Sequence, residues 1–342
     1  MRGQRTPASD GRRAGVLLLQ LGGPQNQADV RPFLYNFFVD LIPENIPVPR
    51  VMVKPLAFIF SLMRAPYSRR LYASIGGGSP LRQQTDLQAQ ALSSELRRRG
   101  KTTPVYVAMR NWKPYTREAL ARARADGVGR LIALPLYPQY SYSTTRSSVN
   151  ELRRALSEMS PGPALTVVDG YCDDPKYIAA LVTLTRRYLR DFCTEAQAVH
   201  LIFSAHGLPL KYIDRGDPYL EQVKKTVAAV VAALDHPGPN HLSFQSRLGP
   251  EKWLAPASDQ LIAQLGDGGA QALCIVPIAF VSEHVETLNE IDIQYADIAR
   301  RHGVIEFKRV CTLRSHPDFI GCLADQVERC LEAGEKFVSA PA

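Results

Sequence analysis

The chain has 342 residues, 45% of them apolar and 22% charged, and its 41 basic and 33 acidic side chains give a formal net charge of +8. That balance excludes a disordered, collagen-like or disulfide-scaffold protein, and the length suffices for two globular domains. Much of the positive charge is local, in Arg2, Arg5, Arg12 and Arg13, and no stripe of interleaved basic and aromatic residues follows, so nucleic acid is not an expected partner.

The head, residues 1–13, lacks the apolar centre of a secretory signal and reads as a short disordered basic tail. Val16–Leu21 is an apolar strand running into Gly22-Gly23-Pro24, with no third glycine opening a helix, so a dinucleotide fingerprint is not met. From 32 to 79 the regular pattern breaks down. Phe33, Tyr35, Phe37 and Phe38 precede a loop punctuated by Pro43, Pro47 and Pro49; then comes an apolar run, 51–63, flanked by Arg50, Arg64, Arg69 and Arg70. The run is too short for a bilayer, which takes about 20 residues. It is expected either to pack on its own domain or to form a greasy lid that covers an apolar ligand or dips into a membrane interface. Ile75-Gly76-Gly77-Gly78-Ser79-Pro80 has neither the P-loop lysine nor a preceding strand, and reads as backbone passing close to another segment.

Further strands are expected at 104–109, 131–136, 164–168, 200–205, 241–245 and 273–280, with helices at 85–99, 116–125, 175–192 and 218–234. Strands alternating with helices predict parallel sheets with crossover helices, and continuous apolar strands predict sheets covered on both faces. The halves also repeat. Segment 16–24 matches 201–209, 104–110 matches 241–247, and 130–141 matches 271–284, which leaves an insertion in the first half. The expected fold is α/β: two Rossmann-like, doubly wound, parallel-sheet domains related by internal duplication, with the active-site cleft between them at the carboxyl ends of the strands. The expected division is 14–170 with a lip insertion at about 32–79, then 171–319, then a helix and tail over 320–342 that pack back on the N-terminal domain.

The last strand delivers Glu283, His284, Glu286, Glu290 and Asp292 in close succession. If the segment after Ser282 is helical, Glu286 and Glu290 share a face and His284 lies nearby. Imidazole with carboxylate suits a divalent transition metal or a proton relay; the bland alternative is a mixed-charge helix start capped by Ser282. A second histidine, His206, sits directly beyond the strand 200–205, in Ser204-Ala205-His206-Gly207-Leu208-Pro209. His206 and Glu286 are expected to confront each other from separate lobes. Tyr137, Tyr140 and Tyr142, with Arg110, Trp112 and Trp253, would line a flat aromatic slot. The six cysteines form no C-x-x-C pair and fit a reducing cytosol.

As a set these residues resemble the ferrochelatases, which insert ferrous iron into a porphyrin. The resemblance covers nearly the whole chain: LGGP at 21–24, IGGGSP at 75–80, YPQYSYSTT at 137–145, SAHGLP at 204–209, RGDPY at 215–219, SFQSRLGPEKWLAP at 243–256 and FVSEHVETLNEIDI at 280–293. It implies a lyase acting on protoporphyrin IX at the last step of haem synthesis. His206, Glu286 and His284 would be catalytic, and Leu21, Arg110, Tyr137 and Trp253 would line the porphyrin site. His206, Glu286 and Glu290 would meet the metal. The alternatives are a coproporphyrin III ferrochelatase, another tetrapyrrole chelatase, and a non-catalytic haem or porphyrin carrier. Gln294 stands where many members carry an acid, and Tyr142 where animal members have a cluster-ligating cysteine. Ferrous iron is thus expected as substrate, no cofactor is required, and a [2Fe–2S] cluster, which would need Cys311, Cys322, Cys330 and a fourth ligand, is not favoured. The expected location is the cytoplasm, with peripheral contact through 51–63 at the inner membrane face.

Overall fold

A computed structural model describes residues 13–247, 249 and 251–333. Residues 1–12 of the basic head and the last nine residues of the tail, both named above, lie outside the described residues, as do Leu248 and Pro250 of the 243–256 motif.

Two four-stranded parallel sheets form the frame. The first contains β1 (Ala14–Gln20), β2 (Val105–Met109), β3 (Arg130–Pro135) and β4 (Ala164–Val167) in the order β2-β1-β3-β4. The second contains β5 (Val199–His206), β6 (Asn240–Gln245), β7 (Ala272–Pro277) and β8 (Glu306–Arg309) in the order β6-β5-β7-β8. The strand orders are identical, which gives the duplication seen in sequence a structural form. Val16, Leu17, Leu18, Leu201, Ile202 and Phe203 are fully buried, because helices cover both faces of each sheet. β8 was not anticipated from sequence: it is a four-residue edge strand whose residues are all half-exposed, so it lacks the apolar run that marks its neighbours.

The insertion is two helices, α1 (Val30–Asn45) and α2 (Arg50–Ser74), where the sequence suggested a proline-broken loop after Phe38. Pro43 sits within the last turn of α1, and only the short linker before α2 stays irregular. The face α2 turns inward is Val53, Ala57, Ser61, Ala65, Ser68 and Tyr72, mostly small residues that allow close packing on α1. The glycine run after α2 does pass close to another segment. A Cβ on Gly78 would stand 2.2 Å from the Gln25 carbonyl oxygen, and the Ser79 N–H donates to Pro24 O at 2.7 Å.

Next come α3 (Leu81–Arg98), which begins a turn before the expected Thr85, α4 (Thr116–Ala125), α5 (Ser147–Ser157) and α6 (Pro175–Leu189). The second half adds α7 (Leu210–Asp214), α8 (Tyr219–Leu234), α9 (Ser258–Asp267), α10 (Ala296–Arg301) and α11 (Pro317–Glu332). In both halves the third strand exits into a π-helical segment, Tyr142–Arg146 in the first and Glu286–Tyr295 in the second. Such wide turns are rare and frequent at functional sites. α11 lies across α3 and α6; Arg99, just past α3, reaches Asp325 and Glu328 on it at 2.7 Å each.

Candidate active site

β5 and β7 are neighbours in the second sheet, paired in parallel from Val199↔Ala272 to Ser204↔Pro277. Their carboxyl ends release His206 and the loop before the second π-helix side by side. His206 Nε2 stands 3.5 Å from Glu286 Oε1, and His284 Nε2 stands 3.5 Å from Glu286 Oε2. The expectation that His206 and Glu286 come from separate lobes is therefore wrong: both belong to the C-terminal domain, one strand apart. The proximity itself is present, and it arises from register rather than from one lobe facing the other.

The first lobe contributes to this loop by holding it. Gln88 on α3 donates to the carbonyls of Val281 and Arg314 at 3.0 Å each, Gln84 accepts from the Glu283 N–H at 2.7 Å, and Ser74 at the end of α2 accepts from Asn289 at 2.7 Å. Glu283 does not join this cluster: it is buried against Arg309, Thr312 and Thr287, with the half-exposed Arg314 at 3.1 Å.

The charges at the centre are coupled. Burial alone pulls His206 down, but the negative charge of Glu286, a hydrogen bond to it and the Gly207 carbonyl raise the imidazole to about 9. Burial likewise pushes Glu286 up, and His206 followed by His284 outweighs it, holding the carboxyl at about 2. Burial lowers His284. The tautomers follow from the other ring nitrogens. His206 Nδ1 lies 2.6 Å from Gly207 O, an acceptor, so Nδ1 carries hydrogen and Nε2 is the proton-exchanging atom. His284 Nδ1 accepts from the Thr287 N–H at 3.2 Å, so its neutral form keeps hydrogen on Nε2, facing Glu286. Phe280 packs between the imidazoles, with ring centroids 4.4 Å from His284 and 6.3 Å from His206.

One turn further, both Glu290 oxygens are engaged. Oε1 accepts from the Ser246 N–H at 2.9 Å and from Tyr295 at 2.8 Å; Oε2 accepts from the Ser246 hydroxyl and from Gln245 at 3.2 Å. Burial, then the charge of Glu286, raises its carboxyl. A metal ion would have to displace these donors to use Glu290. Among the described residues no three His, Cys, Asp or Glu side chains gather as a metal-holding group. Glu286 bridges two imidazoles in a chain, which suits passing an ion on rather than caging it. Cys311, Cys322 and Cys330 do not gather either; Cys322 is fully buried, so they do not fit the cluster-ligand set considered from sequence.

The expected porphyrin-site residues come from both lobes. Trp253 lies against Gly207, where a Cβ would meet its Cε3 at 3.3 Å, and its buried Nε1 has no partner. Leu21, at the end of β1, is half-buried, and Tyr137 sets its hydroxyl 3.4 Å from Ser148. Arg110, beyond β2, is pinned by Asp40 of α1 at 2.8 Å, with Glu151 at 4.0 Å. Burial pushes Asp40 up to about 6, with Glu151 and Glu44 adding to the rise and Arg110 opposing it. Trp112 does not line the slot: it is buried against Phe33 in the core under the lid. Sequence reasoning passed over Gln245, Ser246 and Phe280 as site residues. The parallel match of 104–110 with 241–247 was the available signal, since it sets Gln245 beside His206.

Residues 13–331 match the protein family described as Ferrochelatase. The ferrochelatase of Prochlorococcus marinus (strain MIT 9211) is 44% identical over 331 residues, covering 94% of this chain and 84% of that one. That of Rippkaea orientalis (strain PCC 8801 / RF-1) is 45% identical over 327 residues, covering 94% and 83%. Among solved structures, the sirohydrochlorin chelatase SirB from Bacillus subtilis subspecies spizizenii in complex with cobalt superposes with a TM-score of 0.55 at 10% identity, covering 95% of this chain and 98% of that one. SirB from Bacillus subtilis with Fe3+ gives 0.53 at 13% identity over the same shares. These two share the two-domain fold; the family match and the close relatives identify the chain, which belongs to the ferrochelatase family.

Proposed function

We propose that this ferrochelatase inserts Fe2+ into protoporphyrin IX, with His206 as proton acceptor and Glu286 as the residue that meets the incoming ion. The observation that carries this reading is the shared carboxylate of Glu286, with one imidazole on each oxygen. A free porphyrin bears two pyrrole N–H protons, and both must leave as the divalent ion enters. In the empty site His206 keeps a proton because Glu286 is charged beside it. An Fe2+ ion docking on Glu286 takes over that negative charge. The influence raising His206 then weakens, the ring gives its proton to solvent through its partly exposed edge, and Nε2 takes one pyrrole proton, passes it to solvent and takes the second as iron enters. His284 keeps its Nε2–H on Glu286 and orients the carboxylate. One carboxylate and one imidazole bind ferrous iron loosely enough to release it, where thiolates would retain it.

The porphyrin would lie against Leu21, Tyr137 and Trp253, with Arg110 at one edge. Arg110 is already shared between Asp40 and Glu151, and the Arg146 guanidinium stacks 3.5 Å over the Tyr142 ring. Arg110, the cation at that edge, is already committed to acids and not free for extra ring carboxylates. This favours the two propionates of protoporphyrin IX over the four of coproporphyrin III. In anaerobic assays with ferrous iron and catalytic protein, protoporphyrin fluorescence should disappear over many turnovers and coproporphyrin III should react more slowly. Loss limited to one equivalent would instead indicate a carrier.

The outer face of α2 supports a peripheral membrane contact. Val51, Met52, Phe58, Ile59, Leu62, Met63 and Tyr67 form a helical stripe pointing away from the protein, with Val51 77% and Met63 74% exposed. Arg50, Lys54, Arg64 and Arg69 stand along the same helix, and Arg31 covers Phe58 at 4.9 Å. Large apolar side chains outside and small ones inside invert the usual amphipathic order, as an interfacial helix would. Among the described residues no helix is long and apolar enough to cross a membrane. Cosedimentation with vesicles containing anionic lipid should be strong for the wild type and fall about tenfold in Phe58→Glu with Leu62→Glu. Equal sedimentation of both proteins would exclude the contact and, with it, a location at the inner membrane face.

A further inference from the structure

A concave surface is lined by none of the residues placed in the candidate site. It is a groove of about 610 Å³ along β2, walled by Arg82, Asp86, Ser93 and Arg97 of α3 on one side and by Arg122 of α4 on the other. Among the described residues β2 is an edge strand that pairs with no strand but β1. Its free groups can be read from the register. The Val16 N–H donates to Pro104 O and the Arg110 N–H donates to Gln20 O, with Val16↔Val105 and Gln20↔Met109 aligned. In a parallel ladder alternate residues therefore face β1, so the N–H and C=O groups of Val105 and Val107 point outward into the groove. The Met109 N–H is already satisfied by Pro114 O.

Open edges are usually blunted by charge, bulges or covering elements. Here the edge lies recessed between two helices, with a rim whose charge is not self-compensated. Arg82 pairs with Asp86 at 2.7 Å. Arg97 bonds only the Ser93 carbonyl, at 3.2 Å, and neither it nor Arg122 has an acidic partner among the described residues. A second copy of the chain pairing β2 to β2 would bring these like-charged rims together. An acidic strand would neutralise both.

We propose that the recessed edge of β2, set between the Arg97 and Arg122 rims, is a docking strand for an acidic, extended segment of a partner protein. The segment adds a fifth strand to the first sheet. Val105 and Val107 supply the main-chain hydrogen bonds, and the arginines select alternate acidic side chains. The site is independent of the chelatase centre.

The probe is a short fluorescein-labelled peptide alternating glutamate and valine, measured by anisotropy on the intact protein. The expected result is saturable binding that weakens about tenfold in Val107→Pro, which removes one outward N–H and nothing from the ladder to β1. A similar loss is expected in Arg97→Glu with Arg122→Glu, and with a peptide N-methylated at alternate amides, which requires no change to the protein. Iron insertion should be unchanged in every variant. Equal binding of an alternating lysine–valine peptide, or indifference to N-methylation, would overturn the proposal. So would a concentration-dependent dimer that Val107→Pro abolishes, since the edge would then belong to a second copy.

Discussion

Replacing His206 with alanine is expected to lower iron insertion about 1000-fold while leaving porphyrin binding within a few-fold of normal, as removal of a positioned proton acceptor does. Its Nδ1 is fixed on Gly207 O, which leaves Nε2, facing Glu286, as the nitrogen that exchanges a proton. The substitution also removes the cation that keeps Glu286 near 2, so burial drives that carboxyl upward and weakens its hold on iron. Single-turnover rates with enzyme in excess over porphyrin separate the two effects, because saturating Fe2+ restores metal occupancy but not proton transfer. The companion Glu286→Gln tests the coupling directly. The charge of Glu286 holds the His206 imidazole up at about 9, and without it burial should bring the ring down, readable from imidazole carbon shifts. Normal turnover by His206→Ala, or an unmoved His206 titration in Glu286→Gln, would remove the mechanism argued above.

How much of this was legible beforehand differs from element to element. The central strands were, because burial on both faces writes a continuous apolar run into the sequence: Leu17, Leu18, Leu201 and Ile202 have no exposed side to mark with a polar residue. β8 was not, since a short half-exposed edge such as Glu306–Arg309 carries no such mark. The grouping of His206 with His284 and Glu286 was legible from motif and strand position, yet their shared lobe was misread. Both lie in the second half of the duplication, and strand order decides who faces whom; the β6-β5-β7-β8 order makes their strands adjacent. The π-helical form of 286–295 is announced by no residue periodicity; Gln245 ties it to β6 by donating to the Glu286 main-chain carbonyl and to the Glu290 carboxylate. α2 was read as an apolar run and not as a helix because its large apolar residues face outward and its packing face is made of alanine and serine.

The largest effect on stability is expected from Glu283→Ala. The carboxylate is 1% exposed and bonded to Arg309 at 2.9 Å, Arg314 at 3.1 Å, the Thr312 N–H at 3.0 Å and the Thr287 hydroxyl at 2.7 Å. Burial opposes its ionisation, but Arg309 and these donors prevail and hold the group at about 2, against an ordinary 4.5. Its folded pKa is depressed, so the stabilisation is complete above 4.5 and lost as pH falls from there through about 2. Alanine leaves Arg309, whose side chain is 8% exposed, with Asp292 as its one remaining acid, and leaves the Thr312 N–H buried without an acceptor. Removing one member of such a buried pair costs about 3–5 kcal/mol. Chemical denaturation at neutral pH should show that loss, and the difference from the wild type should shrink as the solution is acidified below 4.5. Because the Glu283 N–H is also tied to Gln84 of the first lobe, the loosened segment is the one that carries His284 and Glu286. Iron insertion should therefore decline with stability in Glu283→Ala even though its carboxylate bonds none of the His206, His284 and Glu286 side chains. Glu283→Gln, which keeps the shape and two of the hydrogen bonds, should recover part of both. A Glu283→Ala protein as stable as the wild type would mean that Arg309 and Asp292 suffice to anchor the loop without it.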